Sequence, residues 1–79
     1  MENLSPESKE KVLEAVKKQV EENEPEVTGM TFEKLVKNGI SKEQAYEILG
    51  RELVGEMSEM MGEKREFDLE KWSTRLNDL

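Results

Sequence analysis

The stretch Val36–Gly62, VKNGISKEQAYEILGRELVGEMSEMMG, decides the fold of this chain. It opens with the end of one helix, because Gly39 is placed as the left-handed residue that commonly closes a helix. Ser41 then starts the next helix, since its hydroxyl can cap the first amides and Gln44, three residues later, completes a capping box. Together these signals predict a tight turn between two helices.

The second of these helices, predicted over 42–61, carries a broad apolar face. At about 100° per residue, its apolar side chains fall on one side. They are Ala45, Tyr46, Leu49, Leu53, Met57, Met60 and Met61, with Ile48 and Val54 at the margins. We expect Gly62 to end the helix. Gly50 and Gly55 lie inside it and cost roughly 1 kcal/mol each relative to alanine, which indicates a close neighbour or a bend.

The segment before this stretch shows the signals of a helix over 6–22. Ser5 provides a hydroxyl cap, and Pro6 lacks only an N–H that the first turn leaves unpaired. The pattern ends before Pro25, because the residue before a proline avoids the helical region. For residues 25–31 we expect a linker or a single turn, since the glycine within them weakens a helix.

A short helix over 32–38 is predicted next. Thr31 is placed to cap its first turn. Met30 precedes this cap and Leu35 stands at the fourth helical position, which is the spacing of a hydrophobic staple between the incoming chain and the helix. The glycine of the turn described above ends this helix.

The chain closes with a helix predicted over 69–77. Asp68 is its cap, and Phe67 and Trp72 have the spacing of a second hydrophobic staple. We expect Trp72 in the core rather than at a surface, because only 5% of the residues are aromatic. The signals together predict one all-α domain over 1–79, a small orthogonal or antiparallel bundle of three to four helices.

Composition limits the functions that this chain can serve. It has 19 acidic and 12 basic residues, a net charge of −7, so nucleic acid with its dense negative charge is not the expected partner. Because cysteine and histidine are absent, the zinc sites, nucleophiles and proton shuttles built on them are absent too. We expect no enzyme activity, no catalytic residues, no cofactor and no metal. The polar start predicts no signal peptide and no membrane contact, hence a cytoplasmic protein.

The turn at Gly39–Ser41 resembles two known classes of domain. Its glycine, the apolar residue after it and the capped second helix resemble a helix-turn-helix, which implies a DNA-binding regulator that uses residues 36–50. Glutamates such as Glu47 on that second helix would repel phosphate, so this function is an alternative. The glycine, the serine and Ala45 also resemble the ubiquitin-associated domain family, whose loop docks an apolar patch of a peptide or protein. That function is a second alternative.

A broader resemblance covers Pro25–Leu79. The segments PEV, FEKLVKNGISKEQAYEIL and EMMGEKREFDLEKWSTRLNDL resemble a family of small uncharacterised bacterial all-helical domains. In such domains a turn of glycine, an apolar residue and serine pairs with a closing helix that Phe67 and Asp68 would begin here. The resemblance implies the fold and a bacterial cytoplasmic setting, and it implies no activity and no site residues.

The apolar face of the long helix is wider than one short neighbouring helix covers. It spans nearly half the circumference, so we expect part of it to meet another molecule. We predict a docking face at Tyr46, Val54, Met57 and Met61, where flexible thioethers adapt to a partner. The expected partner is another protein, and a second copy of the chain, forming a homodimer, is one such partner.

A strip of three glutamates, Glu52, Glu56 and Glu59, flanks this face. Paired carboxylates can transfer protons or bind a divalent ion, and they are the one feature that would favour an enzyme. A charged strip beside an apolar face is ordinarily solvated, and we expect that here. If Glu52 is buried, it needs Arg75 or Lys71 as its ionic partner. The expected function is therefore a small acidic, non-enzymatic protein-protein interaction module.

Overall fold

The computed structural model describes residues 5–79, which form four α-helices. They are α1 Pro6–Glu22, α2 Glu26–Lys37, α3 Lys42–Glu63 and α4 Leu69–Asn77. Helices α2 and α3 each contact all the others, whereas α1 and α4 each pack against α2 and α3. No strand occurs in the described range, so the predicted all-α fold class is confirmed.

The hydrophobic core lies between the four helices, and each helix contributes to it. Its buried apolar members are Val16, Phe32, Leu35, Ala45, Leu49, Leu53, Trp72 and Leu76. Full burial of an aliphatic or aromatic side chain contributes about 1.5–3 kcal/mol. In so short a chain this set is the main source of stability, because small domains bury a smaller share of their surface than large ones.

The caps of α1, α3 and α4 are the predicted ones. The Oγ of Ser5 accepts a hydrogen bond from the N–H of Ser8 at 3.2 Å, and the Oγ of Ser41 accepts one from the N–H of Gln44 at 3.2 Å. The carboxylate of Asp68 accepts hydrogen bonds from two N–H groups of the first turn of α4. Each side chain satisfies amides that have no partner inside the helix.

The turn between α2 and α3 closes as the sequence predicts. Gly39 has a φ of +92°, in the left-handed region. Its N–H donates to the carbonyl of Val36 at 3.1 Å, and the N–H of Ile40 donates to the carbonyl of Leu35 at 3.1 Å. These two bonds satisfy carbonyls that the end of a helix otherwise leaves unpaired. Ile40 is half-buried and packs against the core, as its place beside the turn predicts.

Helix α2 begins earlier than the sequence pattern indicates. Residues 26–31 belong to the helix, so the predicted linker over 25–31 and the predicted start at residue 32 are wrong. The physical reason is burial. Thr28 is fully buried, and a Cβ atom at Gly29 would lie only 2.8 Å from Oδ1 of Asn23 at the end of α1. This close packing outweighs the roughly 1 kcal/mol that a glycine costs a helix.

Thr31 consequently lies inside α2 and is not its cap. Its hydroxyl donates to the carbonyl of Val27 at 2.8 Å, one turn earlier in the same helix. Met30 is also helical and its side chain is 62% exposed, so the predicted staple between Met30 and the buried Leu35 does not form. The cap position of α2 is occupied instead by Pro25.

Helix α3 continues past the glycine that was expected to end it. It includes Gly62 and ends at Glu63, and Lys64 takes the left-handed conformation with a φ of 55°. The prediction that Gly62 ends α3 is therefore wrong. The chain turns away from the helix axis only after Glu63, because the N–H of Arg65 donates to the carbonyl of Met60 at 3.0 Å. This hydrogen bond closes the end of α3 beyond the glycine.

A buried hydrogen-bond relay joins three helices. The indole Nε1–H of Trp72 in α4 donates to Oγ1 of Thr28 in α2 at 2.9 Å, and the hydroxyl of Thr28 donates to Oε1 of Gln19 in α1 at 3.0 Å. Trp72 and Thr28 are both fully buried. The ring of Phe67 lies 6.2 Å from the ring of Trp72, between centroids, as predicted for the staple. The core position predicted for Trp72 is confirmed.

Replacing Thr28 by valine tests this relay. Thr28→Val keeps the shape of the side chain but leaves the indole N–H of Trp72 buried without an acceptor, so it should destabilise the fold by about 1–3 kcal/mol. Thr74→Val on the exposed side of α4 is the control, and it should change stability by less than about 0.5 kcal/mol. Urea unfolding followed by the fluorescence of the single tryptophan measures both variants. Equal losses would contradict the relay.

Alanine substitutions at Gly62 and Gly39 should change stability in opposite directions. Position 62 is helical and a Cβ there would meet no atom of residues 5–79 within 4 Å, so Gly62→Ala should stabilise the fold by roughly 0.5–1 kcal/mol. Gly39 has a φ of +92°, which strains any side chain. Gly39→Ala should therefore destabilise it by about 1–2 kcal/mol. Thermal unfolding measures the stability of both variants. If Gly62→Ala is less stable than the wild type, α3 ends at Gly62 and does not continue to Glu63.

Candidate functional site

The residues predicted as a docking face do not all lie together, because Tyr46 belongs to the packing of the first three helices. Its ring stacks on Phe32 of α2 with centroids 4.6 Å apart. Lys17 of α1 lies over the same ring, with Nζ 5.5 Å from its centroid, in a cation–π contact. Tyr46 is half-buried as a result, and it is set apart from the other three predicted residues near the start of α3.

The other three predicted residues share the C-terminal half of α3. At 100° per residue, Val54, Met57 and Met61 fall within a sector of about 60°. Met57 is 47% exposed and Met61 is 80% exposed, while Val54 is half-buried. Met60, also half-buried, lies about 60° beyond Met57, so the four side chains span about 120° of the helix surface. We call these four residues the methionine face.

The glutamates beside this face do not all meet solvent. Glu56 is buried with 1% exposure, so the expectation of three solvated glutamates is wrong for this residue. Its Oε2 accepts a hydrogen bond from Nη1 of Arg65 at 2.9 Å, and its Oε1 lies 3.6 Å from Nε of Arg75. The sequence does hold a signal for this burial, because Glu56 follows the buried Leu49 by seven residues and the buried Ala45 by eleven, both helical repeats.

Arg75 of α4 lies across the other two glutamates. Its Nη1 is 3.4 Å from Oε1 of the half-buried Glu52, so Arg75 rather than Lys71 is the partner of the two that the sequence offered, and its Nη2 is 2.7 Å from Oε1 of Glu59. A Cβ atom at Gly55 would lie 2.6 Å from Nη1 of Arg75. The glycine therefore leaves room for the guanidinium on the surface of α3, which is the close neighbour that the sequence indicated.

The loop between α3 and α4 is held by the same network. Arg65 bonds to Glu56 and to Glu63, and Nζ of Lys71 lies 3.4 Å from Oε2 of Glu63. Hydrogen bonds from Arg65 and from Lys71 lower the pKa of the Glu63 carboxyl below its ordinary value. The hydrogen bond to Glu56 is the largest cause that raises the pKa of Arg65. Burial opposes the charge of Arg75, but its bonds to Glu59 and Glu52 outweigh burial and raise its pKa.

An open cleft of about 770 Å³ lies over this network, between α3 and α4. Glu52, Glu56 and Arg75 line it, so the predicted glutamate strip faces this cleft. Within residues 5–79, Oε1 of Glu56 accepts no hydrogen bond, and its contact with Arg75 is ionic. No group of three or more acidic side chains in residues 5–79 is placed to hold a metal. With both carboxylates paired to Arg75, the network supports a mechanical role that fixes α4 on α3.

Comparison with known proteins identifies no family for this chain. No family model, no curated protein and no solved structure matches it. The resemblances to small bacterial helical domains, to ubiquitin-associated domains and to helix-turn-helix proteins therefore stay predictions. Within the described part of the chain, none of the helices combines the length and the apolar character that crossing a membrane requires.

Removing the charge of Glu56 tests the network. Glu56→Gln keeps the side-chain shape but takes away a charge-assisted hydrogen bond at a buried position, so it should destabilise the fold by about 1.5–3 kcal/mol. Glu59→Gln is the matched control, because the Glu59 side chain is 53% exposed, and it should cost less than about 1 kcal/mol. Urea unfolding at neutral pH measures both. A loss at Glu59 as large as at Glu56 would contradict the buried pair.

Proposed function

We propose that this protein is a small acidic docking module of the bacterial cytoplasm, without enzyme activity, that binds another protein through its methionine face. The observation that carries the proposal is the exposure of Met57 and Met61, at 47% and 80%, one helical turn apart. Exposed apolar side chains that lie next to one another on a helix are typical of interaction surfaces. Methionine suits such a surface, because its flexible and polarizable side chain adapts to different partners.

The shape of the methionine face suits an amphipathic helix. Met57 and Met61 are spaced by four residues on α3, and a partner helix with apolar residues at positions i, i+3, i+4 and i+7 matches that spacing. The ion-pair network supports this role, because it anchors α4 and the loop after Glu63 on the neighbouring side of α3. A partner would thus meet a surface that needs little rearrangement on binding.

Charge favours a basic partner over a second copy of the chain. The net charge of −7 attracts a basic helix, and the same charge on two copies opposes a homodimer. The charge that attracts a basic partner is the net charge of the whole protein and not that of single glutamates beside the methionine face. The glutamates of α3 that lie next to Met57 and Met60 in the sequence, Glu56 and Glu59, already form ion pairs with arginines of this chain. They are therefore not available to form ion pairs with a partner.

The two alternative functions have less support from the geometry. In a helix-turn-helix the first turns of α3 would read DNA, yet Glu43 and Glu47 are exposed there and would repel phosphate. In a ubiquitin-associated domain the loop at Ile40 would dock the partner, yet Ile40 packs against the core. The enzyme alternative would use the cleft between α3 and α4, whose carboxylates at Glu52 and Glu56 are paired with Arg75.

A peptide titration tests the proposed function. The probe is a basic amphipathic peptide with leucines on one face and lysines on the other, added to protein with ¹³C-labelled methionine methyl groups. We expect the methyl signals of Met57 and Met61 to shift, and the double variant Met57→Glu, Met61→Glu to bind at least about tenfold more weakly, a loss of about 1.4 kcal/mol. Thermal unfolding should be little affected, because both side chains are exposed.

Met30→Glu is the control for charge alone, because Met30 is 62% exposed on α2 and the substitution adds the same acidic group. This variant should bind the peptide as the wild type does. Equal weakening by Met30→Glu, or no peptide binding at all, would contradict the proposed docking face. Sedimentation shows whether a second copy of the chain binds the methionine face. If the wild type is a dimer and the Met57→Glu, Met61→Glu variant is a monomer, the partner is a second copy and not a basic helix.

A further inference from the structure

The methionine face brings three thioether sulfurs to one turn of α3. Met57, Met60 and Met61 occupy positions i, i+3 and i+4. Side chains at these spacings have Cβ atoms about 5–6 Å apart on a helix surface. Because methionine is unbranched and its first two side-chain torsions place the sulfur, the three sulfurs can turn toward a common centre above this turn. The turn therefore offers a compact set of three soft, neutral donors.

We propose that Met57, Met60 and Met61 form a binding site for Cu(I), with the three thioether sulfurs as its ligands. Soft thioether donors select Cu(I) over the harder divalent cations, which prefer carboxylate and imidazole. This site goes beyond the docking function proposed above. It also replaces the expectation that the chain holds no metal, which considered only thiolate, imidazole and carboxylate ligands.

The surroundings of the three sulfurs favour this ion. The chain has no cysteine and no histidine, so no thiolate or imidazole elsewhere competes for Cu(I). The nearby carboxylates of Glu56, Glu59 and Glu63 are paired with arginines and are hard ligands that suit other metals. The net charge of −7 attracts cations to the protein. The exposure of Met57 and Met61, 47% and 80%, lets an ion reach the sulfurs without unfolding α3.

The chemistry of the donors also predicts how binding depends on pH. Thiolate, imidazole and carboxylate ligands must lose a proton before they bind a metal, which makes their affinity fall in acid. A thioether carries no proton, so Cu(I) binding to this site releases none. The affinity should therefore be the same at pH 5.5 and pH 7.5, provided that the protein remains folded at both, which circular dichroism establishes.

Titration with Ag(I), a soft and redox-inert substitute, and with Cu(I) under anaerobic reducing conditions tests the site. The readout is the ¹³C-methyl signals of the methionines. We expect the signals of Met57, Met60 and Met61 to shift together and to saturate at one ion per chain. The signal of Met30 should stay in place, because Met30 is 62% exposed but is the single methionine of α2 and offers one sulfur alone.

Leucine variants separate the sulfur from the apolar area. Met57→Leu and Met61→Leu should each weaken binding by at least roughly tenfold, the loss typical even of outer-shell changes at metal sites, measured by competition with a chromophoric Cu(I) chelator. Met30→Leu should leave the affinity unchanged. Leucine conserves the apolar volume of methionine, so a lost Cu(I) affinity reports the missing sulfur, and peptide binding is measured separately on the unmodified protein. The metal site and the docking face can thus fail independently.

Three results would overturn the proposed site. The first is a parallel shift of Met30 with the other methionines, which would show unspecific binding to exposed thioethers. The second is undiminished Cu(I) affinity in the Met57→Leu and Met61→Leu variants. The third is an affinity that falls between pH 7.5 and pH 5.5 while the protein stays folded, because that dependence indicates ligands that carry a proton.

Discussion

The hydrogen bond from buried Trp72 to Thr28 is the constraint on which the packing of this small protein depends. Trp72 heads the fully buried side chains by volume, and its indole N–H needs an acceptor inside the core. Thr28 provides that acceptor and donates in turn to Gln19, so one relay positions α4 on α2 and α2 on α1. Thr28 lies in the first turn of α2, where its N–H donates to the carbonyl of Pro25 at 3.0 Å, and only residues 23–25 connect α1 to α2.

The buried Glu56 imposes the second constraint. A carboxylate removed from water is costly unless cations satisfy it, and Arg65 and Arg75 do so from the loop and from α4. The arrangement adds little net stability compared with an apolar contact, but it specifies where α4 lies along α3. With α4 placed on that side, the described residues 5–79 supply no further helix to cover the other side of the C-terminal half of α3. Met57 and Met61 are exposed because they lie on the side of α3 that α4 does not cover.

The exposure of Met57 and Met61 is the feature of the proposed docking face that the sequence predicted. The width of the apolar stripe on α3 indicated that one neighbour could not cover it, and Met57 and Met61 are exposed for that reason. The same reasoning could not separate Tyr46 from them, because its cover comes from Phe32 and Lys17 on other helices. The two proposed ligands use different properties of this face: a helix would bind its apolar area, whereas Cu(I) would bind its sulfurs.

By itself, the sequence determined the helices whose starts depend on neighbouring residues, because a cap such as Ser41 satisfies amides only three positions away. It also determined the turn at Gly39, which needs a residue free to adopt a positive φ. Only the tertiary structure decided that α2 begins before Thr28 and that Glu56 is buried. The reason is physical: burial and ionic pairing depend on residues distant in sequence, Trp72 among them, which outweigh local preferences once the helices pack.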